Sequence, residues 1–418
     1  MARVGPERTV VQMWSVLELA GYRRLFISAA IVIFGVMGQA VARAWLARDL
    51  TGSNAGLGGV LLVFGLAMLL STPAGGVAAD RFSKRSVLLY AVLALTGSSV
   101  AIGIAVEADA IRYWMLLAAS AVQATAFAFY LPARIAFIAE LVEPEQIGVA
   151  VIVTQTAQEA MRVIAPALAG VLIGVSWFGV GGVFLLAGAA SALSAFFVAR
   201  LPTGAPRVAS TRSPLAEMTE AIGYVRSRRE LSLVALTTIG VVVLGYPYLV
   251  FLPALADDRF DVGAGGYGVM AGVAGFGAVV AGMITPRLTW MVSRPWRVIG
   301  LSGTTLGIAL IALGFSSTYW LALLVLLAVG ASGLIFQTST QALMLSLSDF
   351  QYHGRMQSMV VLGFSGFGLA ALPLGLFADA TSLRLTLVGM GLLVLTVSGA
   401  FAVTRRRHRR QLVGVEPA

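Results

Sequence analysis

Apolar windows of about twenty residues recur twelve times along this chain, and a run of that length is what a helix needs to cross the roughly 30 Å hydrocarbon core of a bilayer. The spans are expected near 25–47, 55–79, 86–106, 112–133, 147–173 and 180–200, then near 231–256, 265–288, 297–316, 319–341, 356–378 and 383–403. A backbone in hydrocarbon has no water to bond, so each span must close its own hydrogen bonds as a helix. The composition supports this. Of 418 residues, 58% are hydrophobic and 11% charged, where soluble domains carry roughly 25% charge. A soluble fold could not cover so much apolar surface; lipid removes the need.

The net charge of +10 raises nucleic acid as a partner, but the basic residues punctuate the spans instead of forming a patch. With the N-terminus in the cytoplasm, 23 Lys and Arg residues, Arg134 among them, fall in cytoplasmic segments. Arg48, Arg112, Arg259 and Arg384 fall outside, and Arg43 and Arg162 lie within spans. That asymmetry is the positive-inside pattern. It argues for both termini in the cytoplasm and against a nucleic-acid partner. Tyr22-Arg23-Arg24-Leu25-Phe26 faintly resembles a twin-arginine signal, but the apolar run behind it is too long for a signal segment, so it reads as an uncleaved first span.

Several chemistries are excluded or disfavoured. The chain has no cysteine and two histidines, His353 and His408, so no disulfide, thiolate or clustered metal site is expected. No Walker A sequence occurs. Gly263-Ala264-Gly265-Gly266-Tyr267-Gly268 fits a dinucleotide pattern but follows no strand. No cofactor and no enzymatic activity are expected.

The longest polar stretch, 201–230, divides the chain into an N-terminal six-helix bundle (1–200), a linker (201–230), a C-terminal bundle (231–404) and a basic tail (405–418). Ser213-Pro214 reads as an N-cap followed by proline at the first helical position, opening a short amphipathic helix on the membrane surface. An offset of 206 residues aligns Gly76 and Arg81 after span two with Gly282 and Arg287 after span eight, and Gly148 with Gly354. The expected fold class is therefore an all-α membrane protein of twelve transmembrane helices in two pseudo-symmetric six-helix bundles.

Residues 76–85, Gly-Val-Ala-Ala-Asp-Arg-Phe-Ser-Lys-Arg, resemble the loop motif G-x-L-A-D-R-x-G-R-R of the major facilitator superfamily, at that family's position between spans two and three. Ser83 and Ala78 depart from it. Residues 132–146 resemble the loop between spans four and five of the bacterial branch that includes enterobactin exporters and macrolide-type efflux proteins, and Gly354-Arg355-Met356-Gln357-Ser358 resembles that branch's start of span eleven. The resemblance implies alternating access and export. In that setting Gly76 would let span two approach a neighbour closely. Asp80 would stabilise the N-terminus of span eleven near Arg355, with Arg81 and Arg85 bridging nearby acceptors. Together these form a conformational latch.

Gln155, Glu159, Arg162 and Pro166 share one face of span five. Ionisable residues at that depth usually face a bundle interior or a water-filled cavity, so Glu159 and Arg162 are candidates for proton coupling, or else form a structural i,i+3 pair. Pro166 is a candidate kink; residues 165–170 resemble the antiporter motif G-P-x-x-G-G with two glycines replaced. Gln39 and Arg43 in span one line the cavity, unless Arg43 snorkels to the outer surface. Gln123 in span four is added to that wall, and Tyr246, Gln337, Thr338 and Gln341 supply the other. The expected function is proton-driven export of amphiphilic small molecules, drug-like or siderophore-like, by a monomer in the bacterial cytoplasmic membrane. A lipid or lysolipid translocator, and a non-transporting receptor or assembly factor, are the alternatives. Asp49 and Asp80 are the reserve proton sites.

Overall fold

The computed structural model of the protein describes residues 15–203, 214–285, 293–349 and 353–413; side chains are described there except at Asp80, Ile152, Glu159, Val163, 214–219, Ala221, 353–365 and 408–413. All regular structure among the described residues is helical. In order come α1 (Ala20–Thr51), α2 (Asn54–Arg81), α3 (Lys84–Glu107), α4 (Tyr113–Leu141), α5 (Ile147–Ile173) and α6 (Gly179–Ala199). The linker helix α7 (Pro214–Ser227) follows. The rest comprises α8 (Arg229–Gly245), α9 (Tyr248–Ala254), α10 (Gly263–Ile284), α11 (Pro295–Phe315), α12 (Tyr319–Leu347), α13 (His353–Ala380) and α14 (Leu383–Val413). Eleven spans are long and apolar enough to cross a bilayer over their described residues; α13, described by its side chains only from Gly366, supplies the twelfth.

By contact the chain forms two compact units, residues 1–50 with 66–214 and residues 51–65 with 215–418. The dividing point falls inside α2, so one helix contributes its first turns to the second unit and the rest to the first.

Close pairing in the first unit depends on residues without side chains. A methyl group added at Gly103 would strike Leu185, and one at Gly188 would strike Val100, which brings α3 and α6 together. Gly75 lies against the Ala128 carbonyl, which brings α2 to α4. Small residues allow such approach where lipid provides no hydrophobic drive between helices. Hydroxyl contacts add to it. Tyr22 donates to the Ala150 carbonyl at 2.8 Å, joining α1 to α5, and the Ser28 and Ser194 hydroxyls meet at 2.7 Å between α1 and α6.

The second unit repeats the same pairs. Gly307 and Gly391 seat α11 on α14, while Gly277 against Leu327 and Gly330 against Ala274 seat α10 on α12. Third with sixth and second with fourth are the same partners as in the first unit, as a duplicated half requires.

Three boundaries differ from expectation. Span four runs to Leu141 instead of ending near 133, because Pro132 is accommodated inside the helix; Arg134 is therefore not in a loop. Span seven is broken: α8 stops at Gly245, Pro247 precedes α9, and a π turn covers Leu255–Arg259. Proline lacks the N–H that would continue the ladder. The last helix runs on through the basic residues to Val413, so part of the expected tail is helical. The linker helix starts at Pro214 as expected; its cap, Ser213, lies outside the described residues.

Candidate functional site

The α5 face expected to couple protons lies in one unbroken helix. Gln155 is half-buried and Arg162 exposed, a turn and more apart along α5. Pro166 is carried within the helix without ending it. The Glu159 side chain lies outside the described residues.

The first unit also holds buried polar groups on α1, α3, α4 and α5. Gln39 accepts a hydrogen bond from the Ser99 hydroxyl at 3.1 Å, so its oxygen ties α1 to α3. Arg43 is 6% exposed with no partner for Nε. It does not snorkel; it is enclosed by helices. Gln123 on α4 is buried, and its Nε2 has no partner. Two turns or more toward the α4–α5 connection, Arg134 is 3% exposed, its guanidinium carbon 5.8 Å from the Tyr130 ring centre. Neither its Nε nor its Nη1 has a partner. Gln158, one turn before Arg162 on α5, is also buried with an unpartnered Nε2.

Sequence reasoning missed Arg134, Tyr130 and Gln158. Arg134 was hidden because span four was expected to end near 133 and residues 132–146 resembled a loop, which placed the arginine outside the helix. Gln158 lies at the edge of the stripe, three residues after Gln155 and four before Arg162, and was passed over beside the charged Glu159. The period of α4 was the available signal: Gln123, Tyr130 and Arg134 recur at steps of seven and four.

In the second unit the expected residues are neutral and partly engaged. Tyr246 donates to the Gly333 carbonyl at 2.8 Å, and the exposed Thr338 hydroxyl donates to Leu334 at 2.9 Å. Gln337 and Gln341 are half-buried. The eight residues expected to line a cavity thus divide four to each unit.

At the expected latch, Arg81 is exposed and Arg85 half-buried; the Asp80 and Arg355 side chains lie outside the described residues. A methyl group at Gly76 would meet nothing among the described residues. The close approach expected of Gly76 is made by Gly75 one position earlier, since that residue faces α4. Lys84, the chain's single lysine, is fully buried and pairs with Glu140 of α4 at 3.1 Å.

The other end of α2 is secured within the second unit. Asp379, near the end of α13, accepts from the Asn54 backbone N–H at 2.9 Å, from the Asn54 side-chain amide at 2.8 Å and from the Ala55 N–H at 2.8 Å. A carboxylate there satisfies the donors that a helix start leaves open. Below it Gly375 lies against the Asn54 carbonyl, Gly58 against Ala371 and Gly368 against Leu61, so the first turns of α2 and the end of α13 meet backbone to backbone.

Twelve long apolar helices in two matching sets, with buried ionisable groups in one of them, define a multi-pass membrane transporter of the major facilitator fold. The family model MFS_3, transmembrane secretion effector, matches residues 11–412, and the chain belongs to that family. Among solved structures, the peptide transporter POT is 13% identical with a TM-score of 0.74, covering 93% of this chain and 94% of its own. The nucleoside transporter NupG is 14% identical with a TM-score of 0.72, covering 92% and 99%. A bacterial homolog of the human lysosomal transporter Spinster, inward-facing and unoccupied, is 16% identical with a TM-score of 0.70, covering 94% and 97%. At such identities the likeness is one of fold. No curated protein matches in sequence.

Proposed function

We propose that the chain is a proton-driven exporter of amphiphilic small molecules, working as a monomer by alternating access in a bacterial cytoplasmic membrane with both termini inside. It acts as a transporter and not as an enzyme. The observation that carries this reading is the confinement of mid-membrane charge to the first unit, on α1, α4 and α5. A buried ionisable group is costly to insert and persists where it serves a pathway. Membership of a secretion family supports the outward direction.

In this reading Glu159 takes up and releases the proton. Burial favours its neutral form and a nearby cation its charged form, and a change of water access alters the balance. Arg162, three residues on, holds the charged state. One proton crossing 100 mV supplies about 2.3 kcal/mol, enough to sustain a substantial gradient. Gln39, Arg43, Gln123 and Gln155 form one wall of the path, Tyr246, Gln337, Thr338 and Gln341 the other, and Pro166 bends α5 as access changes. The latch of Gly76, Asp80, Arg81, Arg85 and Arg355 closes the cytoplasmic side. The cap of Asp379 on α2 supports it by example: an aspartate near the end of one helix of this pair holds the start of the other.

The test is a growth-inhibition panel in an efflux-deficient host, with accumulation of the protective compound followed in everted vesicles. Wild type should protect and concentrate the compound. Glu159→Gln should lose uphill transport and keep downhill exchange. Uphill transport by Glu159→Gln at the wild-type rate would make the carboxylate structural and move the proton site to Asp49 or Asp80.

A further inference from the structure

Among the described side chains of the first unit, the buried polar atoms that lack partners are mostly donors. They are Arg43 Nε, Gln123 Nε2, Arg134 Nε and Nη1, and Gln158 Nε2. Against these five stand one acceptor, Gln146 Oε1, and the hydroxyls of Tyr130 and Ser191. An amide can be turned end for end, but a guanidinium only donates, so the surplus is anchored by the three arginine nitrogens. A buried N–H left open forfeits the hydrogen bond it made in water, and a buried charge left open costs more. The same unit settles its other buried cation differently: Lys84 has Glu140. No carboxylate among the described side chains is paired with Arg134, and the nearby Arg162 adds like charge.

Among the described side chains, what this region lacks is therefore an acceptor-rich anion. We propose that Arg134, assisted by Gln158 and Arg162, receives the anionic head group of the transported molecule, a carboxylate, phosphate or sulfonate, while the apolar remainder meets the neutral surfaces of the spans. The inference rests on the reading of the chain as a carrier of amphiphiles and adds the sign of the substrate. Arg134 lies seven residues from the end of α4, about 10 Å along the helix, within reach of a solute entering from that side. The anion is taken to be a free solute; a lipid head group carries the same chemistry and is separated below.

Two dansyl compounds of opposite charge provide the probe: dansylglycine, a carboxylate, and dansylcholine, a cation. Their fluorescence is titrated with the purified full chain in nonionic detergent, with no proton gradient. Wild type should bind dansylglycine more tightly. Arg134→Gln should weaken dansylglycine at least about tenfold, the loss expected for a charge-assisted hydrogen bond, and leave dansylcholine unchanged. Arg134→Lys should keep the preference for the anion. Displacement of dansylglycine by phosphatidylglycerol assigns the site to a lipid head group; its persistence assigns it to a solute.

Thermal unfolding without ligand separates this role from a structural one. If Arg134 awaits an anion, Arg134→Gln should melt at or above the wild-type temperature, because an uncompensated charge has gone. If Arg134 instead holds an internal carboxylate, the variant melts lower, and that result overturns the proposal. So does a wild type that binds neither dansyl compound or prefers the cation. Because binding is read without a gradient, intact anion selectivity alongside unimpaired uphill transport by Glu159→Gln would overturn the proton mechanism and leave this site standing.

Discussion

The two units use one set of helix pairs and fill them with different chemistry. In the first, the interior of α1, α4 and α5 holds arginines and amides, and Lys84 and Glu140 form a buried ion pair. In the second, the middle of each described span is neutral, and the ionisable groups lie toward helix ends, as with Arg228 and Asp349 at 2.7 Å. Its glycines make close backbone contacts, as at Gly277, Gly307, Gly330 and Gly391. A duplicated scaffold can therefore keep its packing in both copies while one copy carries charge. The lesson concerns division of labour: the packing plan belongs to the fold, and the charge belongs to the task.

This comparison can be broken by experiment. The largest effect is expected at Lys84. Lys84→Ala leaves Glu140 without its buried partner and should cost about 3–5 kcal/mol, read as a large fall in the melting temperature of the purified protein. Lys84→Met combined with Glu140→Leu should recover most of that loss. A small effect of the single change would mean that charge in the first unit is not energetically distinct. Next comes packing in the second unit. Gly330→Leu would drive a side chain into the Ala274 carbonyl and should cost about 3 kcal/mol, seen as poor yield of monodisperse protein; normal yield would show that α10 and α12 can separate freely. The smallest effect is expected at the exposed ion pair. Arg228→Ala should change stability by less than about 1 kcal/mol, since water and salt screen such pairs. A loss comparable with that of Lys84→Ala would erase the contrast between the units.

The twelve spans were legible because lipid imposes a length and a composition that few other sequences share. The duplication was legible in outline from Gly76 with Gly282. What was not legible depended on neighbours distant in sequence. Span four read as ending near 133, yet α4 carries Pro132 inside it and continues to Leu141, which puts the buried Arg134 within the helix. Gly75 and Gly76 are alike as letters, and only the direction of α4 decides which one makes the contact. Gln39 read only as a residue of the cavity wall, but Ser99 of α3 donates to its oxygen. The Asp379 cap joins residues 325 positions apart, beyond any local pattern.

That cap has a consequence for amide exchange. The N–H groups of Asn54 and Ala55 begin a helix, where amides ordinarily fray and exchange quickly with solvent. Here both donate to one carboxylate on α13, so their exchange is governed by how often that carboxylate departs, and not by fraying of α2 alone. Two backbone hydrogens on one helix thereby keep time for the movement of another, and they do so in the native chain, without label or substitution.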